Sequence, residues 1–168
     1  MTPAAPSGDA GRAGRYLTFR LYNEEYGIGI LSVREIIGMQ PITTVPRAPE
    51  FVKGVINLRG RIIPIIDMRE KFDLPRNGYS YETSTIVIAL EGLLVGIIVD
   101  SVSEVVDFAD EDIEKDPHLR TTMPSDFILG MGKLKNRVVI LLNVEIVLSA
   151  GESEIAEPAG SPQPERQD

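Results

Sequence analysis

Three stretches of the chain carry residue types whose spacing could do chemistry. Gly27-Ile28-Gly29-Ile30-Leu31-Ser32 opens like a dinucleotide loop, whose glycines let the backbone approach a pyrophosphate. It ends in Ser32 where that loop needs its third glycine, and no segment of helix length follows; a β-hairpin that requires small residues is the better reading. Gly130-Met131-Gly132-Lys133-Leu134 holds the Gly-Lys pair of a phosphate loop but lacks the upstream glycine and the Ser or Thr on the metal. From Asp100 to Asp116 there are eight carboxylates and a single cation, Lys115. Asp110, Asp112 and Glu114 fall at the first, third and fifth places of a calcium loop, yet Lys115 stands where its glycine belongs and Thr121 where its bidentate glutamate belongs. A solvated acidic face, or a docking patch for a basic partner, accounts for the run. Asp100 and Glu104 could serve as paired acid and base, but no aromatic cluster accompanies them to line a pocket. His118 is the only histidine and has no marked nucleophile near it.

Composition narrows the classes further. The 168 residues include no Cys and no Trp, which removes disulfide frameworks, thiolate metal sites and cysteine nucleophiles. The formal net charge of -8 argues against a general nucleic-acid binder. With 43% hydrophobic and 25% charged residues, the chain suits an ordinary globular protein. Its longest apolar stretch, Leu93 to Val99, is far short of the roughly 20 residues of a spanning helix. Residues 1–14, rich in Ala, Gly, Pro and Ser, have no apolar segment of an export signal; they are expected to form a disordered tail of a cytoplasmic protein. Residues 151–168, with five acidic residues against Arg166 and three prolines, are expected to be a second, acidic and disordered tail. Between the tails, residues 15–76 carry ten Lys and Arg against seven Asp and Glu, and residues 77–150 five against twelve. Such opposite-signed halves suit a docking module.

The elements that would position these residues are short strands. Arg15 to Leu21 alternates apolar and polar residues, Asn23-Glu24-Glu25 is expected to turn the chain, and Tyr26 to Leu31 to return it. Ile62 to Ile66 and Val138 to Leu142 are apolar runs too short for helices. Pro64 has no N–H to give, which predicts an edge or a bulge there.

An internal repeat organises the strands. Tyr26 to Ile37 aligns with Val95 to Val106, keeping Gly27/Gly96, Ile28/Ile97, Ser32/Ser101, Val33/Val102 and Glu35/Glu104; at the same offset Tyr16 to Leu21 overlays Thr85 to Leu90. Phe51 to Asp67 overlays Phe127 to Asn143, keeping Phe51/Phe127, Gly54/Gly130, Leu58/Leu134 and Arg61/Arg137. The repeat predicts two similar β-units, residues 15–76 and 77–150, with strand exchange between them allowed. Units of this size close most easily as barrels, which removes exposed edges. The expected fold is therefore all-β, two pseudo-repeated five-stranded SH3-like β-barrels, with helix confined to short pieces near Ser32 to Ile37, Met68 to Phe72 and Val144 to Leu148.

Glu25-Tyr26-Gly27-Ile28 with Val33-Arg34-Glu35-Ile36, then Lys53 to Arg69 in the pattern KGVxNLRGxIxPIxDxR, resembles the CheW-like family of chemotaxis coupling proteins. Val95 to Asp100 with Val102-Ser103-Glu104-Val105 matches the same family, and the resemblance runs from about Arg15 to Ser149. It implies two five-stranded barrels packed about a hydrophobic interface. It also implies an adaptor without enzymatic activity or cofactor, bridging chemoreceptor tips to the regulatory domain of the histidine kinase CheA and associated with membrane arrays through those partners. A kinase, or an adaptor with a receiver domain, would need further domains. A coupling protein of a non-flagellar pathway and a small-molecule-binding or enzymatic barrel stay open as alternatives.

By resemblance the receptor-facing residues are Val33, Glu35, Gly54, Arg59 and Val102, and Leu119 is a candidate kinase contact. Val33 and Val102 could equally be core valines, and Gly54 a backbone requirement. Glu35 and Arg59 suggest a mutual ion pair at the rim of a groove between the barrels, into which a receptor helix would lay apolar side chains.

Overall fold

β-branched and aliphatic residues in alternating or short continuous runs, punctuated by two-residue turns, give a chain made mostly of strands. The structure, a computed structural model, describes residues 13–75, 78–115 and 124–148. Its strands are β1 (Gly14–Leu21), β2 (Glu24–Gly29), β3 (Val33–Gly38), β4 (Val52–Leu58), β5 (Arg61–Asp67), β6 (Ser84–Leu90), β7 (Leu93–Val99), β8 (Ser101–Phe108), β9 (Ile113–Glu114), β10 (Ile128–Leu134) and β11 (Arg137–Leu142). Among the described residues, helix is confined to α1 (Met68–Lys71), α2 (144–148) and short 3-10 turns. Asp67 caps α1, its Oδ1 accepting from the Arg69 N–H at 2.9 Å. The tails beyond the described residues, and His118, Leu119 and Thr121, are outside this description.

Sheet A has the order β8-β1-β2-β11-β10-β9 and sheet B the order β3-β6-β7-β5-β4. The sheets are assembled by exchange across the chain's midpoint: the β1–β2 hairpin joins strands of the second half, and β6–β7 joins strands of the first. The repeat holds residue by residue. Val33 pairs with Ile88 and Val102 with Phe19, their repeat equivalents, and both strand pairs carry a bulge at the same place. The parallel pairs Ile65 with Gly96 and Leu141 with Gly27 are likewise equivalent.

Three sequence expectations need correction. Val33 to Gly38 is a strand rather than a helix, because its alternation is satisfied by pairing with β6; the 3-10 turn is upstream, at Ile30–Ser32. The first hairpin turns at Tyr22-Asn23, since Leu21 already pairs with Glu24. β5 lies inside its sheet, not at an edge, and the bulge in its pairing with β4 falls between Val52 and Gly54, opposite Ile66 and Ile65, beside Pro64 rather than at it. Val55, opposite Pro64, exchanges its own backbone bonds with Thr43, so Val55–Pro64 is a pair without hydrogen bonds between its members. The Pro64 nitrogen therefore points toward β7, where pairing starts only at Ile65 and nothing asks it for a proton.

Among the described residues, three apolar clusters result. The largest lies between the sheets, with Phe19, Tyr26 and Ile28 from one meeting Ile66, Ile86, Ile88 and Ile97 from the other, closed by Met68, Phe72, Val147 and Leu148. Each sheet also curls round a small core of its own: Tyr16, Phe108, Ile113, Val139 and Leu141 in sheet A; Ile56, Ile63, Ile65, Val87 and Ile98 in sheet B. The edge strands β3 and β4 both reach the sheet B core, through Ile37 and Ile56, giving it the form of a small barrel.

Candidate functional site

Arg59 and Gly60 are the two-residue connection between β4 and β5, and both have positive φ, 52° and 88°, as a type I′ turn demands. Gly60 adopts this at little cost, whereas Arg59 holds it against the preference of a residue with a Cβ. The Gly60 amide donates to Asn57 Oδ1 at 2.8 Å and fixes the turn. The turn sends the Arg59 side chain to β3, where its guanidinium donates to the Glu35 carboxylate. The bulge between Val33 and Glu35 sets the register there. The Arg59 side chain is 69% exposed and that of Glu35 33%. Such a pair contributes at most about 1 kcal/mol to stability; what it offers is a guanidinium and a carboxylate at fixed places on the surface.

The expected ion pair forms, but not on a groove between the barrels. It borders a depression lined by Arg34, Leu58, Arg61, Ile63, Val87 and Leu94, all from sheet B and its turns. The pair thus marks the mouth of one barrel, because the β4–β5 turn sits at the end of sheet B and its Arg59 reaches across to β3, the opposite edge strand.

Val33 and Val102 lie on the seam instead. Both are half-buried and pack on the cluster between the sheets, with part of each side chain accessible. Gly54 is buried at φ 144°, and a Cβ there would stand 2.0 Å from the Thr43 carbonyl oxygen. A Cβ on its equivalent Gly130 would stand 2.8 Å from Ile113 Cγ2 and 3.0 Å from the Glu114 carbonyl oxygen. Both glycines let a crossing segment pair with the middle of a hairpin strand, Thr43 with Val55 and Glu114 with Met131. Gly54 therefore shapes the strand and presents no side chain. Leu119 falls outside the described residues.

The sequence reading missed a second arginine cluster. Arg137 on β11 donates through Nε to Glu25 at 2.8 Å and through Nη2 to Glu104 at 2.5 Å. These bonds, that to Glu25 first, raise the guanidinium above its usual range. The repeat identities Glu35/Glu104 and Arg61/Arg137 did not reveal it, because Glu35 is held by Arg59 rather than by Arg61. Of the acidic run, Asp107 meets Arg15 at 3.2 Å, Glu114 meets Lys133 at 3.7 Å, and Asp112 accepts from the Ala109 amide at 2.9 Å. These are surface pairs and turn caps.

The CheW-like domain model matches residues 15–152. The chain belongs to the CheW family. It is 43% identical over 144 residues to the chemotaxis protein CheW of Klebsiella aerogenes, covering 84% of this chain and 86% of the relative. It is 32% identical over 144 residues to the chemotaxis protein CheW of Bacillus subtilis, covering 86% and 92%. Among solved structures, the scaffolding protein TtCheW of Thermoanaerobacter tengcongensis superposes with a TM-score of 0.72 at 35% identity, over 77% of this chain and 88% of that one. The all-β, two-sheet architecture is that of a chemotaxis scaffold of the CheW type. No helix among the described residues is long and apolar enough to cross a membrane.

Proposed function

We propose that this chain is a non-enzymatic adaptor that couples the cytoplasmic tips of chemoreceptors to the regulatory domain of the histidine kinase CheA. It acts in the cytoplasm, is held at receptor arrays through its partners, and needs no cofactor. The observation that carries this reading is the arrangement of β3. Val33 lies on the seam between the sheets, and two residues further on Glu35 stands at the barrel mouth, held by Arg59. A strand fixed by pairing with β6 thus offers an apolar contact at the seam and, past the bulge, a charged one at the barrel mouth.

A receptor helix laid along the seam would place apolar side chains against Val33 and Val102, in helix-in-groove fashion, with its polar edge toward Glu35 and Arg59. Gly54 supports that surface by letting Thr43 close on β4. The kinase would dock elsewhere, with Leu119 as a candidate contact, so that both partners are held at once. The two docking units are the two sheets, each built by exchange from strands of residues 15–76 and 77–150, and the tails, 1–14 and 151–168, are assigned no part in docking. The test is binding of the purified chain to a CheA regulatory domain and to a receptor-tip hairpin, singly and together, by isothermal titration. Binding of both with a three-way complex is expected; binding of neither overturns the reading.

A further inference from the structure

Away from the rim, the molecule buries a guanidinium. Arg69, on α1, is 4% exposed and stands beside Asp67 at 1%. Its Nη1 donates to the Gly78 carbonyl at 3.1 Å. Its Nε lies 3.3 Å from Asp100 Oδ1 and 3.8 Å from Asp67 Oδ1, and makes no hydrogen bond of its own. The Tyr79 ring covers the guanidinium, 5.3 Å from carbon to centroid, and the Tyr79 hydroxyl donates to Asp67 Oδ2 at 2.9 Å.

Asp100 is more than a counter-ion. It is the single residue between β7 and β8, the corner where the chain leaves sheet B for sheet A. Its Oδ2 accepts from the Tyr22 amide, in the β1–β2 turn of sheet A, at 2.8 Å, and its own amide donates to the Arg20 carbonyl at 3.0 Å. One buried charge therefore connects α1, the crossing point and a hairpin of the other sheet. The repeat does not reproduce this. Asp100 corresponds to Leu31, which is 93% exposed, and Arg69 corresponds to Glu145. The seam is latched at one corner, and the equivalent corner lacks the latch.

We propose that Arg69 is a positioning residue that fixes the angle between the two sheets through Asp100. The apolar cluster between the sheets holds them together, but burial of apolar surface has no direction and tolerates sliding. A buried charge is directional, since moving it from its counter-ions leaves it uncompensated. The angle fixed in this way sets the relative placement of the adaptor's two docking surfaces. Only that last consequence rests on the proposed function.

The chain has no cysteine, so nitroxide labels can be placed at Ile62→Cys on β5 and Val138→Cys on β11, equivalent exposed positions on the two sheets. Pulsed electron double resonance on the partner-free protein then reads the distance between the sheets. A single narrow distribution is expected with Arg69 and Asp100 intact, and a broadened or split one with Asp100→Asn, which keeps an acceptor for the Tyr22 amide. Arg69→Met should do the same, while Glu145→Gln at the twin corner leaves the distribution unchanged. If Arg69→Met does not fold, Asp100→Asn decides. An unchanged distribution in folded Asp100→Asn overturns the proposal. Because no partner is present, this outcome is independent of whether the chain couples receptors to a kinase.

Discussion

Glu35 and Glu104 are equivalent under the repeat, yet each is held by an arginine that the repeat does not equate: Arg59 in the β4–β5 turn for Glu35, Arg137 on β11 for Glu104. Arg137 is also bound by Glu25, whose side chain is only 8% exposed, whereas the Arg59 pair stands at an open barrel mouth. The first ties β11 to β2 and β8 and neutralises a nearly buried carboxylate; the second displays charge. The two should respond differently to mutation.

Arg59→Asp should leave the fold intact, because an exposed pair is worth at most about 1 kcal/mol and Asp tolerates the left-handed backbone of this turn better than Arg. Receptor binding, measured by titration, should fall sharply as two carboxylates come to face each other at the mouth. Combining Arg59→Asp with Glu35→Arg should restore part of it, and the double-mutant cycle isolates the pair from each residue's separate contacts.

Arg137→Met should lower the melting temperature more than Arg59→Met does, because it strands the buried Glu25 carboxylate without its cation. Equal melting temperatures for the two variants would contradict the division between a structural and a displayed pair.

Gly54→Ala forces a Cβ to within 2.0 Å of a backbone oxygen and should cost about 3 kcal/mol or more. Gly130→Ala, with its tightest contact at 2.8 Å to the Ile113 side chain, should cost less. Denaturant titration ranks them; the reverse order would contradict the close-approach account.

Burial, with a smaller contribution from Glu24, pushes the Tyr26 phenol up to about 12 from its ordinary 10.0. The unfolded chain therefore loses this proton first as pH rises. Stability from this group is complete below pH 10 and declines between pH 10 and 12, by up to about 1.4 kcal/mol per pH unit. Tyr26→Phe should flatten this part of the profile of denaturant midpoint against pH and leave the slope below pH 9 unchanged.

Much of the fold was legible because the repeat is written in residues with strict geometric duties. Gly54 and Gly130 are identical because the same crossing segment needs the same space, and Gly27 and Gly96 because each sits under a parallel strand. The segment at Val33 to Ile37 misled because its apolar residues Val33, Ile36 and Ile37 have helical spacing, and Pro64 because its missing N–H was read as requiring an edge or a bulge at that residue. The Glu35–Arg59 pair could be anticipated from two conspicuous motifs, but its place at the barrel mouth depends on a turn of only two residues. Arg69 and Asp100 were not legible as a pair. An arginine in a sequence is expected at the surface, and only the fold brings the end of β5 beside the β7–β8 corner.

The central claim, that this CheW-family chain couples receptors to a kinase, is tested most directly by reconstitution. Purified CheA is combined with receptor cytoplasmic fragments arrayed on vesicles, with and without this chain, and autophosphorylation is measured. Stimulation that requires all three components, and that is lost with Arg59→Asp while the variant remains folded, is the predicted result. Kinase activity that receptor fragments and this chain together leave at the level of CheA alone would contradict it.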